Sequence, residues 1–151
     1  MFLIKHWGGI WSGGQTDLYI LPKDRTMRNQ EYRECLETHM LPTFRAKKLN
    51  WFLDNQAPCH KHQSVTTFLA EKKIKRMEWP GISPDLNPIE NVWANMKRRL
   101  MDTDVSTRPK MIRAIRKVWR ETIRVALKNL AQSMPRRIQE VLEREGGSSK
   151  Y

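Results

Sequence analysis

The amino-acid sequence predicts a layered α/β domain that gives way to an all-α, strongly basic C-terminal segment. Three observations carry this. Strand-length apolar runs alternate with stretches of helical period as far as residue 101. Beyond that point the apolar residues fall at helical spacing only. Finally, 28 Lys and Arg stand against 16 Asp and Glu, a formal charge of +12. The excess gathers in one stretch, since residues 105–128 hold eight basic side chains and a single acid, Glu121.

Residues 2–11 (FLIKHWGGIW) are rich in β-branched and aromatic types and end at the turn Ser12-Gly13-Gly14. A second apolar run, Asp17 to Leu21, follows directly, so the pair predicts a β-hairpin. From Thr26 the period becomes helical, with Tyr32, Cys35, Leu36, His39 and Met40 on one face, and Pro42 is expected to stop that helix. Leu49 to Leu53 is a strand-length run closed by the polar turn Asp54-Asn55-Gln56. Val65, Phe68 and Leu69 place a helix across 61–72, and Ile74 to Trp79 predict another short strand.

Asn87 then reads as a helix N-cap, with Pro88 in the first helical position and Glu90 three residues after the cap. Ile89, Val92, Trp93, Met96 and Leu100 form the buried face of that helix, which leaves Lys97, Arg98 and Arg99 outward. Asp102 to Pro109 is the plausible linker. It divides residues 1–101 from a basic helical extension of the same domain over 102–151. Between Lys110 and Leu130 one helix is expected, with an apolar stripe from Met111 to Leu130 and a basic stripe of Lys110, Arg113, Lys117, Arg120, Arg124 and Lys128. Pro135 opens a last helix carrying Ile138, Val141 and Leu142, and Gly146-Gly147 ends it. Trp7, Trp51, Trp93 and Trp119 fall on these apolar faces and read as core.

A chain of 151 residues suits one domain and can bury a core without disulfides. It contains no run of eighteen apolar residues, which excludes a helical membrane span, and its short apolar start is not expected to be a signal peptide. Cys35 and Cys59 cannot build a disulfide framework and suit a reducing compartment. Cys59-His60 with His62 lacks a second Cys/His pair at ligand spacing, which argues against zinc. The charge points to a polyanionic partner. Eight cations against one acid beside an apolar stripe would repel one another without a counter-charge, so phosphate contact is favoured over a merely solvated face. Arg113, Lys117, Arg120 and Arg124, with Lys97 and Arg98 before them, are the candidate phosphate-contacting residues. Glu90 has two readings: a capping-box glutamate reaching back to the Asn87 amide, or a functional carboxylate.

The most specific stretch is Trp79 to Leu100, WPGISPDLNPIENVWANMKRRL. Residues 83–91 match, without a gap, the Ser-Pro-Asp-Leu-Asn-Pro-Ile-Glu-Asn signature of Tc/mariner-superfamily DDE transposases. Ala57-Pro58-Cys59-His60 resembles the sequence just after that family's second catalytic Asp. Trp7-Gly8-Gly9-Ile10 and Thr16-Asp17-Leu18 resemble its early strands, and Ser133 to Arg137 and the Gly146-Gly147…Lys150-Tyr151 ending resemble its C-terminus. The similarity runs over nearly the whole chain.

The resemblance implies a ribonuclease-H-like catalytic core in which three carboxylates bind two magnesium ions. Those ions activate water or a DNA 3′-hydroxyl for in-line attack on a phosphodiester. Glu90 falls on the third carboxylate of the family. For the second, Asp54 or Asn55 stands open: counting back from Ala57 without a gap reaches Asn55, with 34 residues before Glu90, whereas Gln56 as an insertion makes Asp54 the ligand. Asp54 and Glu90 are thus the candidate catalytic and magnesium-binding residues. The family's first Asp lies on a strand before the one represented by residues 3–11, so this chain is expected to carry the core without its first strand and without the family's DNA-reading helix-turn-helix domain. Its DNA cleavage, strand transfer and integration chemistry is then expected to be inactive in the lone chain. The alternative is a catalytically dead remnant acting only as a nucleic-acid-binding or transposase-partner module. DNA is the implied partner, a transposase homodimer stays open, no small-molecule substrate is implied, and the implied location is the nucleus.

Overall fold

A computed structural model describes residues 3–55, 57–78, 80 and 83–147. The expected hairpin forms as two short ladders built from β1 (His6–Trp7), β2 (Ile10–Trp11), β3 (Gly14–Gln15) and β4 (Tyr19–Ile20). β1 pairs antiparallel with β4, and β2 with β3 nearer the turn. Gly13 takes a φ of +82° in that turn, a left-handed value that an L side chain would resist. Neighbouring residues on a strand face opposite ways, and here both faces are covered. Trp7 packs into one core cluster while the His6 ring lies 4.9 Å from Trp93 of the other. Likewise the Tyr19 ring lies 4.7 Å from His39, while Ile20 joins the second cluster.

Pro42 does not stop the first helix. α1 (Asn29–Cys35) runs through a π turn at Leu36–Met40 into α2 (Leu41–Lys47), whose first turn contains Pro42. The π turn shifts the bonding register, so that the Leu41 N–H reaches the Leu36 carbonyl and the missing Pro42 N–H falls where a new helical segment begins. The helix ends instead at Lys48, with a φ of 54°, and the Leu49 N–H closes it on the Phe44 carbonyl at 2.9 Å.

β5 (Trp51–Phe52) pairs parallel with β6 (Lys75–Arg76), and α3 (Gln63–Glu71) makes the crossover between them. His62 caps α3, its Nδ1 accepting from the Ser64 N–H at 3.2 Å. Tyr32, Leu36, Met40, Phe52, Val65 and Phe68 belong to the first core cluster. Trp51, expected in the core, is 54% exposed. Strand alternation gives the inward side to Phe52, and Lys75 covers the outer Trp51 ring at 5.3 Å.

After a 3₁₀ turn at Pro84–Leu86, α4 (Ile89–Met101) and α5 (Arg108–Arg120) pack against each other. The segment between them is a structured turn. Thr107 caps α5, and the Asp104 side chain accepts from the Ser106 N–H at 3.0 Å. The expected single helix over 110–130 is broken at Glu121–Ile123, and α6 (Arg124–Gln132) starts afresh. An unbroken helix of that length would run about 30 Å and leave the hairpin. The break turns α6 back onto β2 and β3 and buries Leu127, at the expense of Ile123 and Val125, which are exposed.

α7 (Met134–Glu143) opens at Pro135 as expected, and Gly146, at a φ of +92°, ends the helical run. Its inward face differs from expectation. Leu142 is exposed and Ile138 partly so, whereas Arg137 is buried, donating to Ser133 Oγ and to the Asp85 carbonyl, both at 2.8 Å. Trp79, Gln56 and the Lys150-Tyr151 ending lie outside the described residues. No helix among the described residues is long and apolar enough to cross a membrane.

The second cluster, which includes Ile4, Val92, Met96, Ile115, Val118 and Trp119, seats α4–α6 on the hairpin. Trp119 is its centre. The indole is 1% exposed, stacks on Trp93 at 5.0 Å, and donates from Nε1 to the Thr16 carbonyl at 2.8 Å. Gly8 permits this approach, because a Cβ there would stand 2.7 Å from the indole carbons. Trp119→Ala is therefore expected to cost about 3–5 kcal/mol in urea unfolding. Gly8→Ala should also destabilise the wild-type chain but cost less in the Trp119→Ala background. Additive losses would show that the two residues are not coupled.

Candidate active site

A cleft of about 890 Å³ opens between the hairpin and the end of β5, overlooked by the first turn of α4 and by α6 and α7. Both candidate carboxylates line it. Among the described residues, Asp54 and Glu90 are the acids on its wall.

Asp54 lies two residues beyond the end of β5. Alternation turns Phe52 and Asp54 inward and leaves Asn55 exposed, although both candidates for the one position border the cleft. The Asn55 side chain closes a local turn, its Oδ1 accepting from the Ala57 N–H at 3.2 Å. Asp54 is 8% exposed and already has a cation: Arg76 donates from Nη2 to Asp54 Oδ2 at 2.9 Å and to the His60 carbonyl at 2.7 Å. The strand register places Arg76 there, since it pairs with Phe52 across the β5–β6 ladder. His60 stacks on the buried Tyr32 ring at 3.8 Å with its Nδ1 3.9 Å from Asp54. Burial lowers the His60 pKa, opposed by Asp54 and reinforced by Arg76, so the ring favours its neutral form. Cys59 is no activated nucleophile, because burial raises its pKa.

Glu90 sits in the first turn of α4. The capping box does not form: Pro88 already has helical angles, the Glu90 N–H is satisfied by the Asn87 carbonyl at 3.1 Å, and this helix end has no side-chain cap. The carboxylate is therefore not used as a cap. It is half-buried, has no ion-pair partner among the described residues, and its pKa is raised by desolvation.

A magnesium ion takes six oxygen ligands, carboxylates among them. The described residues as arranged do not complete such a site. One of the two acids on the cleft is neutralised by Arg76, and no group of three or more His, Cys, Asp or Glu that could hold a metal occurs among the described residues.

The basic candidates separate. Arg113 and Arg120 line a second, shallower groove with Arg108 and Arg116, of about 540 Å³ along one face of α5. Lys117 points elsewhere and lies 3.9 Å from Glu121, Arg124 belongs to α6, and Lys97 and Arg98 are exposed on α4. The expected continuous stripe is thus interrupted by the helix break at Glu121. Sequence reasoning passed over Arg108, Arg116 and Arg76. The i, i+3, i+7 spacing of Arg113, Arg116 and Arg120 was the available signal for the groove, and for Arg76 it was a cation alternating inward in a short strand.

The chain is 32% identical over 98% of its length to the Transposable element Tcb1 transposase of Caenorhabditis briggsae, and spans 57% of that protein. Its fold is similar to the catalytic domain of Mos1 mariner transposase, with a TM-score of 0.80 and 14% identity, covering 97% of this chain and 82% of that one. It is also similar to Mos1 transposase in a paired-end complex with the left transposon end, with a TM-score of 0.82 and 17% identity, over 92% of this chain and 42% of that one. These likenesses bear out the ribonuclease-H-like class with C-terminal helices and the Tc/mariner resemblance. Residues 13–112 match the family described as DDE superfamily endonuclease, a span that takes in Asp54, Arg76 and Glu90, and the chain belongs to that family.

Proposed function

We propose that this chain is a DNA-contacting part of a transposase catalytic domain. It contributes Glu90 and Asp54 to a magnesium-dependent site for strand cleavage and strand transfer, and does not complete that site alone. The observation that supports this reading is the shared cleft: an uncapped, unpaired Glu90 faces the same space as an Asp54 held by Arg76. Arg76 is the internal counter-cation of Asp54, so any metal use of Asp54 requires that pair to open. The same ion pair favours the second reading, a catalytically dead DNA-binding or partner module, because a charge that Arg76 already neutralises has less need of a metal. DNA lies along the Arg108–Arg113–Arg116–Arg120 groove, held through phosphates and therefore with little sequence preference. A nuclear location and a homodimer belong to the same reading.

Three measurements test it. Neutralising Arg113, Arg116 and Arg120 to Gln should weaken duplex DNA binding. It should also flatten the plot of log affinity against log salt, its slope falling by about 0.9 for each phosphate that is no longer neutralised. Lys117→Gln with Arg124→Gln should change both much less. Equal effects of the two sets would mean that the groove is ordinary surface.

Manganese titration followed by paramagnetic line broadening should show weak binding near Glu90 in the wild-type chain. Binding should tighten, with Asp54 included, in Arg76→Gln. Tight binding to the wild type at both acids would contradict the Arg76 clamp. The variant leaves a buried carboxylate without its cation and should lose about 3–5 kcal/mol of stability, so titrations belong at low temperature.

Glu90 carries a pH signature. Its folded pKa is raised, so the native state holds the proton more tightly than the unfolded chain and stability falls as pH rises through the interval between the two values. In chelator, Glu90→Gln should therefore be more stable than wild type at pH 7. The gap should close toward about pH 4, near the unfolded value. A gap that persists in acid would point to repacking rather than desolvation.

A further inference from the structure

Arg137 is a buried charge that lines neither the cleft nor the α5 groove. Its side chain is 1% exposed, and it is the one buried residue of α7. A guanidinium taken out of water is costly unless its N–H groups find acceptors. Here Nε donates to Ser133 Oγ and Nη1 to the Asp85 carbonyl, 52 positions away, both at 2.8 Å. Ser133, the residue between α6 and α7, donates in turn from Oγ to the Leu130 carbonyl at 2.7 Å. Its hydroxyl proton is thereby committed to α6, which leaves its lone pairs for Arg137. The corner between α6 and α7 is in this way tied to the 3₁₀ turn at Pro84–Leu86.

That turn leads into the helix that carries Glu90. The Asn87 N–H bonds to the Pro84 carbonyl and the Glu90 N–H to the Asn87 carbonyl, each at 3.1 Å, so main-chain bonds link the gripped turn to Glu90. No side chain caps α4, so the start of this helix draws its support from outside it. α7 packs on the turn, and its Met134 and Ile138 line the cleft together with Glu90. We infer that Arg137 is a positioning residue for Glu90. By holding the Asp85 carbonyl it fixes the turn from which α4 starts, and with it the direction in which Glu90 faces the cleft. The acceptor is main chain, so the grip does not depend on the side chain at position 85. A planar guanidinium meets two acceptors in a fixed geometry, which a lysine ammonium does not. The inference rests on the reading of Glu90 as a metal-site acid and adds the residue that aims it.

The test uses the full chain and reads hydrogen exchange together with manganese line broadening. In Arg137→Gln the amides of Asn87, Glu90 and Asn91 should exchange at least about tenfold faster, while those of Val65 and Ile74 in the first cluster change much less. Manganese should bind near Glu90 about tenfold more weakly than in the wild type, a loss of the size expected when a group that orients a metal ligand is removed. Arg137→Lys keeps the charge but not the planar fork, and should behave like Arg137→Gln. Ser133→Ala is the milder change, since it removes only the Nε acceptor, and should move both readouts the same way by less. Faster exchange confined to α7, or equal at all these amides, would overturn the inference. So would wild-type behaviour of Arg137→Lys, or unchanged manganese affinity in Arg137→Gln. A wild-type chain that binds no manganese near Glu90 would sink the reading of the site instead, and the exchange pattern alone would then decide whether Arg137 holds Glu90 in place.

Discussion

Trp119 is where the two halves of this protein meet. Its indole lies against a glycine that leaves room for it, stacks on Trp93 of α4, and donates to the backbone of the hairpin at Thr16. The Trp119 carbonyl in turn accepts from Gln15 Nε2 at 2.5 Å, so the same residue is bonded twice to the hairpin. An aromatic of this size contributes through its buried area first and through its single hydrogen bond second. The position of α4 on the hairpin follows from that seat, and with it the presentation of Glu90 to the cleft. Helix α6 can return to β2 and β3 only because α5 stops within two residues of Trp119.

Charge is arranged on a similar principle, with different outcomes inside and outside. Inside, Asp54 is deprived of water and held by Arg76, with a ring that favours neutrality beside it. A buried carboxylate with a bidentate-capable partner is a settled structural element, and a metal would have to compete with that partner. Glu90 is desolvated without such a partner, which makes it the poorly settled acid of the pair. Outside, Arg113, Arg116 and Arg120 on α5 keep their hydration and repel one another, while Arg108 donates to the Leu21 carbonyl at 3.3 Å. The desolvated acid and the arginine cluster thus lie on different surfaces of one small domain.

Several features were legible because they are local. The hairpin follows from an apolar run, a glycine turn and a second run. The crossover from β5 through α3 to β6 follows from period and length. The helix at Ile89 follows from its apolar face, and the Ser83–Asn91 signature carried the family. The features that were misread are those in which a neighbour outweighed a local preference. Pro42 would end an isolated helix, but a π turn absorbs its missing donor. The stripe from Met111 to Leu130 has unbroken helical period, yet packing onto the hairpin bends it at Glu121. Trp51 is apolar on a strand, but it falls on the side facing away from the first cluster.

Contiguous residues were enough to establish the order of elements, the basic C-terminal segment, the carboxylate at Glu90 and the family to which the chain belongs. Folding in three dimensions was needed to bury Asp54 and leave Asn55 exposed, to match Arg76 to Asp54 across 22 positions, and to draw Arg108 and Arg116 into one groove with Arg113 and Arg120. Those outcomes depend on strand register and on which face of a helix meets the core, and both are set by packing between segments far apart in the chain.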